Sequence, residues 1–81
     1  MLARLKAVLG MVLAEEVWGT PAADIIRRMV AEHGGSYRVA PTNNTLTAGG
    51  VSATCTWSKD VGLLAAWRRN ATVRLSKEGL A

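Results

Sequence analysis

The chain has 81 residues, and 49% of them are hydrophobic, which predicts one domain with its own core and excludes a disordered chain. Ten lysines and arginines oppose six acidic residues, and the net charge of +4 permits contact with nucleic acid or an acidic protein without requiring either. Cys55 is the single cysteine, so no disulfide can form within the chain. We expect Cys55 to be a small buried hydrophobe in a protein of the reducing cytoplasm.

The first predicted element is a helix from Leu2 to Val17 with a wide apolar face. Cations stand at its start and acidic residues at its end, opposite to the order that the helix dipole favours, so the helix should depend on burial. One interpretation is a central core helix. The other is a homodimer or partner interface through Leu2, Leu5, Leu9 and Val12. Close approach of such a partner would be permitted by Ala3, Ala7, Gly10 and Ala14.

A second helix is predicted to begin at Pro21, after a cap at Thr20, and to end before Gly34. Thr20-Pro21 is typical of a helix start, and Gly34-Gly35 is typical of a helix end. Asp24, Arg28 and Glu32 recur at four-residue spacing, so they can pair along the helix surface. The opposite face is apolar and contains Ile25, Ile26, Met29 and Val30.

Two-residue alternation then predicts strands. A first strand runs from Ser36 to Ala40 and ends at Pro41. Leu46 and Ala48 belong either to a short second strand or to one loop over residues 41–50, and the pattern does not decide between them. From residue 51 to residue 58 the alternation is strict. Its apolar face comprises Val51, Ala53, Cys55 and Trp57.

The remaining pattern predicts a third helix and a last strand. Asp60 suits a helix start, the following apolar residues recur at helical spacing, and Asn70 suits a helix end. Residues 71–75 alternate again and predict another strand. We therefore expect an α+β fold in which two N-terminal helices pack on an antiparallel sheet of three or four strands, with the third helix inserted before the last strand. The second helix should cover the sheet face of Val51, Cys55 and Trp57.

The residues that could carry chemistry are few. His33 is the only histidine, and one histidine with one cysteine cannot supply a typical zinc or iron site. The sequence contains no H-E-x-x-H, P-loop or G-x-G-x-x-G pattern, and no pair of carboxylates is arranged as acid and base. No apolar run is long enough to span a membrane. We therefore expect a non-enzymatic protein with no cofactor, no metal and no membrane partner.

Tryptophan and arginine are the residues that indicate binding. Arginine beside tryptophan can contact phosphates or form an interface hot spot. The alternative is that Trp67 fills the core while Arg68 and Arg69 complement the dipole of their helix. An exposed Trp18, at the end of the apolar first helix, would mark an interface. The candidate partner-binding residues are Trp18, Arg38, Trp67, Arg68, Arg69 and Arg74.

Two functions fit these features. The first is a small protein that regulates or inhibits a protein partner by stoichiometric binding. Compact phage-encoded inhibitors of host defence, including anti-CRISPR proteins, belong to this size class, and the analogy is one of size class alone. The alternative is a small basic nucleic-acid-binding domain that contacts the backbone through Arg68, Arg69, Arg74 and Arg38, although no nucleic-acid recognition motif is present.

Overall fold

The computed structural model describes residues 2–40, 43–55 and 60–78 of the chain. It confirms the α+β class, with three helices and a three-stranded antiparallel sheet. The first two helices precede the sheet and the third follows it. The elements are α1 (Leu2–Val17), α2 (Ala22–His33), β1 (Ser36–Val39), β2 (Asn44–Ala48), β3 (Val51–Cys55) and α3 (Asp60–Lys77).

The strands lie in the order β1-β2-β3, and β2 is therefore the central strand. Leu46 is part of β2 and pairs with Tyr37 on one side and Ala53 on the other, which decides against a single loop over residues 41–50. The β2–β3 connection is Gly49-Gly50, with φ of +59° and +81°. Positive φ at both central residues is the signature of the tight hairpin turn that matches strand twist, and glycine adopts it without steric cost.

The predicted alternation along β3 is confirmed for the residues that the structure describes. Val51 and Ala53 are buried, whereas Ser52 and Thr54 are exposed. Cys55 is partly buried and packs against the core. The expectation for Trp57 falls on residues 56–59, outside the described part of the chain.

Trp67 lies at the centre of the core with no exposed surface. Its indole Nε1 donates to the carbonyl oxygens of Ala48 at 3.3 Å and Val51 at 3.1 Å, on either side of the glycine turn. Because a buried indole N–H needs an acceptor, these contacts fix α3 against the end of the hairpin.

The predicted last strand is wrong, because α3 continues through Asn70 and residues 71–75 to Lys77. Ala71 and Leu75 are four positions apart, so a pattern that alternates over five positions also satisfies helical spacing. Both are buried, while Val73, which a strand would turn inward with them, is 49% exposed. The Asn70 side chain does not end the helix, and its Nδ2 donates to the Ser52 carbonyl oxygen at 3.0 Å.

The expected position of the second helix also needs correction. Residues Ile25, Ile26 and Met29 are buried as expected, but α2 contacts β1 and β2, while α3 packs along β3. Val30 is 39% exposed. The reason is that α3 follows β3 directly and is long enough to cover the whole strand. Thr20 does not cap α2, because its hydroxyl donates to the Glu15 carboxylate at 2.6 Å.

Candidate functional site

The inner face of α1 belongs to the core of its own chain. Leu5 is 1% exposed, Leu9 is 7% exposed and Val12 is fully buried. These three side chains therefore cannot form the homodimer interface expected from the sequence, because other parts of the same chain already cover them. The Leu2 side chain lies outside what the structure describes.

The opposite side of α1 is exposed and still largely apolar. Val17 is 88% exposed, Trp18 is 84% exposed and Leu13 is 46% exposed. Gly10 is surrounded by open space, since a Cβ built there would meet no atom within 4 Å. Lys6 contributes a cation on the same side. We call this surface the α1 outer face, and it comprises Ala3, Ala7, Gly10, Leu13, Ala14, Val17 and Trp18.

Trp18 is attached to an ordered helix end. Its backbone N–H donates to the Ala14 carbonyl oxygen at 3.2 Å, which continues the helical hydrogen bonding beyond Val17. Gly19 follows with φ of +81°, and its N–H donates to the Glu16 carbonyl oxygen at 3.1 Å. The exposed indole therefore extends from a defined backbone, which limits the conformational entropy that a binding partner must remove.

Two ion pairs tie this end of α1 to the other helices. Glu15 accepts a hydrogen bond from Arg28 of α2, and Glu16 accepts from Arg68 Nη1 at 2.7 and 2.8 Å. Arg28 also pairs with Glu32, and this hydrogen bond lowers the pKa of the Glu32 carboxyl. The helix dipole disfavours acidic residues at the C-terminal end of α1, and these ion pairs with arginines of α2 and α3 stabilise them there.

The expected binding residues separate into three groups. Trp18 is exposed, as are Arg38, Arg69 and Arg74. Arg68 is engaged by Glu16 in an internal ion pair. Trp67 is in the core and is not available to a partner, in agreement with the alternative interpretation of that residue.

Two clefts flank the Gly49-Gly50 turn. The first has a volume of about 460 Å³ and the second about 410 Å³, and both are lined by Gly50. The first is further lined by Arg4, His33, Gly34, Ser36, Thr47, Ala48 and Gly49. The second is further lined by Val51, Ser52, Arg69, Asn70, Val73, Arg74 and Lys77.

The structure thus brings Arg69 and Arg74 together with Lys77, but it leaves Arg38 outside both clefts. Sequence reasoning missed Arg4 and Lys77. Arg4 is far from the other cations along the chain, and no local pattern shows that α1 begins beside the glycine turn. Lys77 is three positions after Arg74, and this spacing places the two side chains on one side of a helix. The sequence pattern predicts a strand over residues 71–75, so it does not indicate that α3 extends to Lys77.

A third cleft, of about 510 Å³, lies between α2 and β1 and contains a hydrogen-bonded pair. The Tyr37 hydroxyl donates to Asp60 Oδ1 at 2.8 Å. This hydrogen bond raises the pKa of the Tyr37 phenol, because ionisation would remove the donated proton beside a carboxylate. The other lining residues are mainly apolar. The hydrogen bond itself joins Asp60, at the start of α3, to Tyr37 of β1.

Over the described ranges, no three His, Cys, Asp or Glu residues are grouped so that they could hold a metal ion. No described helix combines the length and the apolar character needed to cross a membrane. Comparison with protein-family models, with curated proteins and with solved structures finds no match to this chain.

Proposed function

We propose that this chain is a small non-enzymatic protein that binds another protein stoichiometrically through the α1 outer face and thereby regulates or inhibits it. The observation that carries the proposal is the exposure of Trp18 and Val17 on an ordered helix end. A cytoplasmic setting agrees with the single cysteine of the chain.

The apolar character of α1 on both sides is the first support. A surface helix normally carries polar residues opposite its buried stripe, and a helix that is apolar all round is normally buried all round. The inner side of α1 packs in its own core, while the outer side has Ala3, Ala7 and Ala14 exposed to solvent. A partner that covers these residues would bury the apolar side of α1 that its own chain leaves exposed.

The shape of the face is the second support, and it indicates a helical partner. Small side chains at Ala7, Gly10 and Ala14 let a second helix approach closely, at an axis separation near the lower end of the usual 8–10 Å. Trp18 and Val17 stand at one end of this flat stretch and can enter a pocket on the partner. Large aromatic anchors of this kind carry much of the binding energy in interfaces.

The charges indicate what a partner helix should carry. Glu15 and Glu16 are turned to their arginines on α2 and α3, and the outer face retains Lys6. The partner that fits is an amphipathic helix with an apolar stripe and an acidic residue placed near Lys6. Such a residue would add orientation and association rate more than affinity.

The test uses Ala14→Arg, which places a long charged side chain in the middle of the face. Ala31→Arg is the matched control, because Ala31 is also an exposed helical alanine but lies on α2. The partner captured by the wild-type protein should bind Ala31→Arg equally well and lose at least about tenfold in affinity for Ala14→Arg, the equivalent of 1.4 kcal/mol. Trp18→Ala should weaken binding in the same direction.

Equal affinity of all these variants for the partner would contradict the proposal. The oligomeric state decides a separate question and is measured by sedimentation of the wild-type protein alone. A dimer that dissociates in Ala14→Arg but not in Ala31→Arg would assign the face to a second copy of the chain in place of another protein.

A further inference from the structure

The cationic side chains fall into two groups, those that are paired with a carboxylate and those that are not. Within the described residues, Arg27, Arg28 and Arg68 are each paired with a carboxylate. The structure records no carboxylate within ion-pair distance of the other cations in these ranges. Those cations are Arg4, Lys6, Arg38, Arg69, Arg74 and Lys77.

Most of these cations gather around one feature, the Gly49-Gly50 turn. Arg4 lines the first cleft together with His33, and the second cleft is lined by Arg69, Arg74 and Lys77. The described residues that line the two clefts include no carboxylate. Field lines from like charges are focused in concave surfaces, so both clefts favour anions more than the modest net charge of the whole chain suggests.

The two clefts are adjacent and share part of their lining. Gly50 borders both of them. Thr47 of the first cleft pairs in register with Ser52 of the second, and their hydroxyl oxygens are 2.9 Å apart in a hydrogen bond. A ligand that occupies both clefts therefore crosses only a glycine turn and a pair of small hydroxyl side chains.

The chemistry of the lining favours phosphate. Guanidinium groups present paired N–H donors that match phosphate oxygens, and three of the gathered cations are arginines. Glycine has no side chain to keep a ligand away from the turn, and Gly50 is exposed. Among the described residues that line the two clefts none is aromatic, so these residues offer bases no stacking surface.

We propose that the Gly49-Gly50 turn lies under the backbone of a nucleic-acid strand, with phosphates of that strand in the two clefts. Arg4 holds a phosphate in the first cleft, while Arg69 and Arg74 hold a phosphate in the second. Recognition of this kind positions the strand and does not select its sequence. This site is separate from the α1 outer face.

The test measures the affinity of labelled single-stranded DNA and RNA of equal length by fluorescence anisotropy at several salt concentrations. Arg69→Gln/Arg74→Gln is compared with Arg27→Gln/Arg38→Gln, which removes the same charge from two side chains that line neither cleft at the glycine turn. We expect the cleft variant to lose at least tenfold in affinity at low salt. Its slope of log affinity against log salt should become shallower by about 0.7, because the variant loses the phosphate contact of the second cleft and each phosphate contact on a single strand contributes about 0.7.

At physiological salt the control variant should stay within about twofold of the wild-type affinity, since exposed charges more than about 8 Å away are then largely screened. Arg4→Gln, in the other cleft, should weaken binding independently. The proposal is overturned by equal losses in the two double variants, by an unchanged affinity of Arg4→Gln, or by no binding at low salt. All substituted side chains are on the surface, so thermal unfolding should show that the variants remain folded. If Arg69→Gln/Arg74→Gln does not fold, Lys77→Gln takes its place in the comparison.

Competition with inorganic polyphosphate identifies the recognised group. Displacement of the labelled strand by polyphosphate, at comparable phosphate concentration, supports phosphate recognition at the clefts. Failure of polyphosphate to displace the strand would overturn it, since the bases would then be required. Equal affinities for DNA and RNA are expected, because the proposed contacts are made to phosphates.

Discussion

Replacement of Gly49 by alanine tests how the hairpin turn is joined to α1. Gly49 has φ of +59°, and a Cβ built on it would lie 2.9 Å from the Leu5 Cα and 3.0 Å from the Leu5 Cδ1. The side chain of Leu5 is 1% exposed, and its Cα is part of the α1 backbone. The new methyl group therefore cannot be accommodated by a rotamer change, and either the turn or the helix must move.

The expected loss has two parts. A non-glycine residue in the left-handed region costs roughly 1–2 kcal/mol. Insertion of a methyl group into a close-packed contact costs about 1–3 kcal/mol. Gly49→Ala should thus lower the free energy of unfolding by about 2–5 kcal/mol, a large part of the about 4–12 kcal/mol that a domain of this length typically has.

Gly19→Ala is the matched control. Gly19 also has positive φ, at +81°, but a Cβ there would meet no atom within 4 Å. This variant should lose only the backbone part, roughly 1–2 kcal/mol. Both are measured by urea unfolding followed by circular dichroism. If Gly49→Ala is no less stable than Gly19→Ala, the contact between the turn and Leu5 does not constrain the fold.

Three further predictions concern stability and ionisation. Gly10→Ala should raise the free energy of unfolding by about 0.5–1 kcal/mol, because the site is helical and open, and a lower melting temperature would contradict this. Trp67→Phe should cost about 2–4 kcal/mol in urea unfolding, since it leaves a void and removes the indole donor from two carbonyl oxygens, and a loss below 1 kcal/mol would refute that role. Tyr37 is the only tyrosine, so its absorbance titration reports one group, and Asp60→Asn should lower its raised pKa. Because the folded pKa is raised, this contribution to stability is complete below about pH 10 and is lost as the pH rises through the folded pKa, so unfolding of Asp60→Asn should depend less on pH there.

Much of the secondary structure could be predicted because it depends on local signals. The bounds of α1 and α2 follow from apolar spacing and from Gly19 and Gly34, and the structure has them within one residue of where the sequence places them. The alternation of β3 is equally local. The error at residues 71–75 arose because a short segment can satisfy two periods at once, and only packing against β3 decides between them.

The candidate sites were less predictable, because they depend on residues that are distant along the chain. The pattern around Arg68 suggested a binding surface, but Glu16 engages this residue across a separation of 52 positions. Trp18 was identified as an interface residue only on the condition that it is exposed, and that condition is met. The clefts at the glycine turn are lined by residues from the start of α1 and from the end of α3. No spacing along the sequence predicts that these two helix ends lie beside the same turn.

Composition and periodicity by themselves determined that this protein has an apolar core, three helices and β-strands, since these features depend on neighbouring residues and on backbone propensity. Only the tertiary structure decided which face of α1 is covered, which arginines are neutralised and which cations gather around Gly49-Gly50. The physical reason is that contacts between elements decide which side chains are buried and which are ion-paired. Two arginines of identical chemistry therefore differ in role when one is paired with a carboxylate and the other is exposed to solvent.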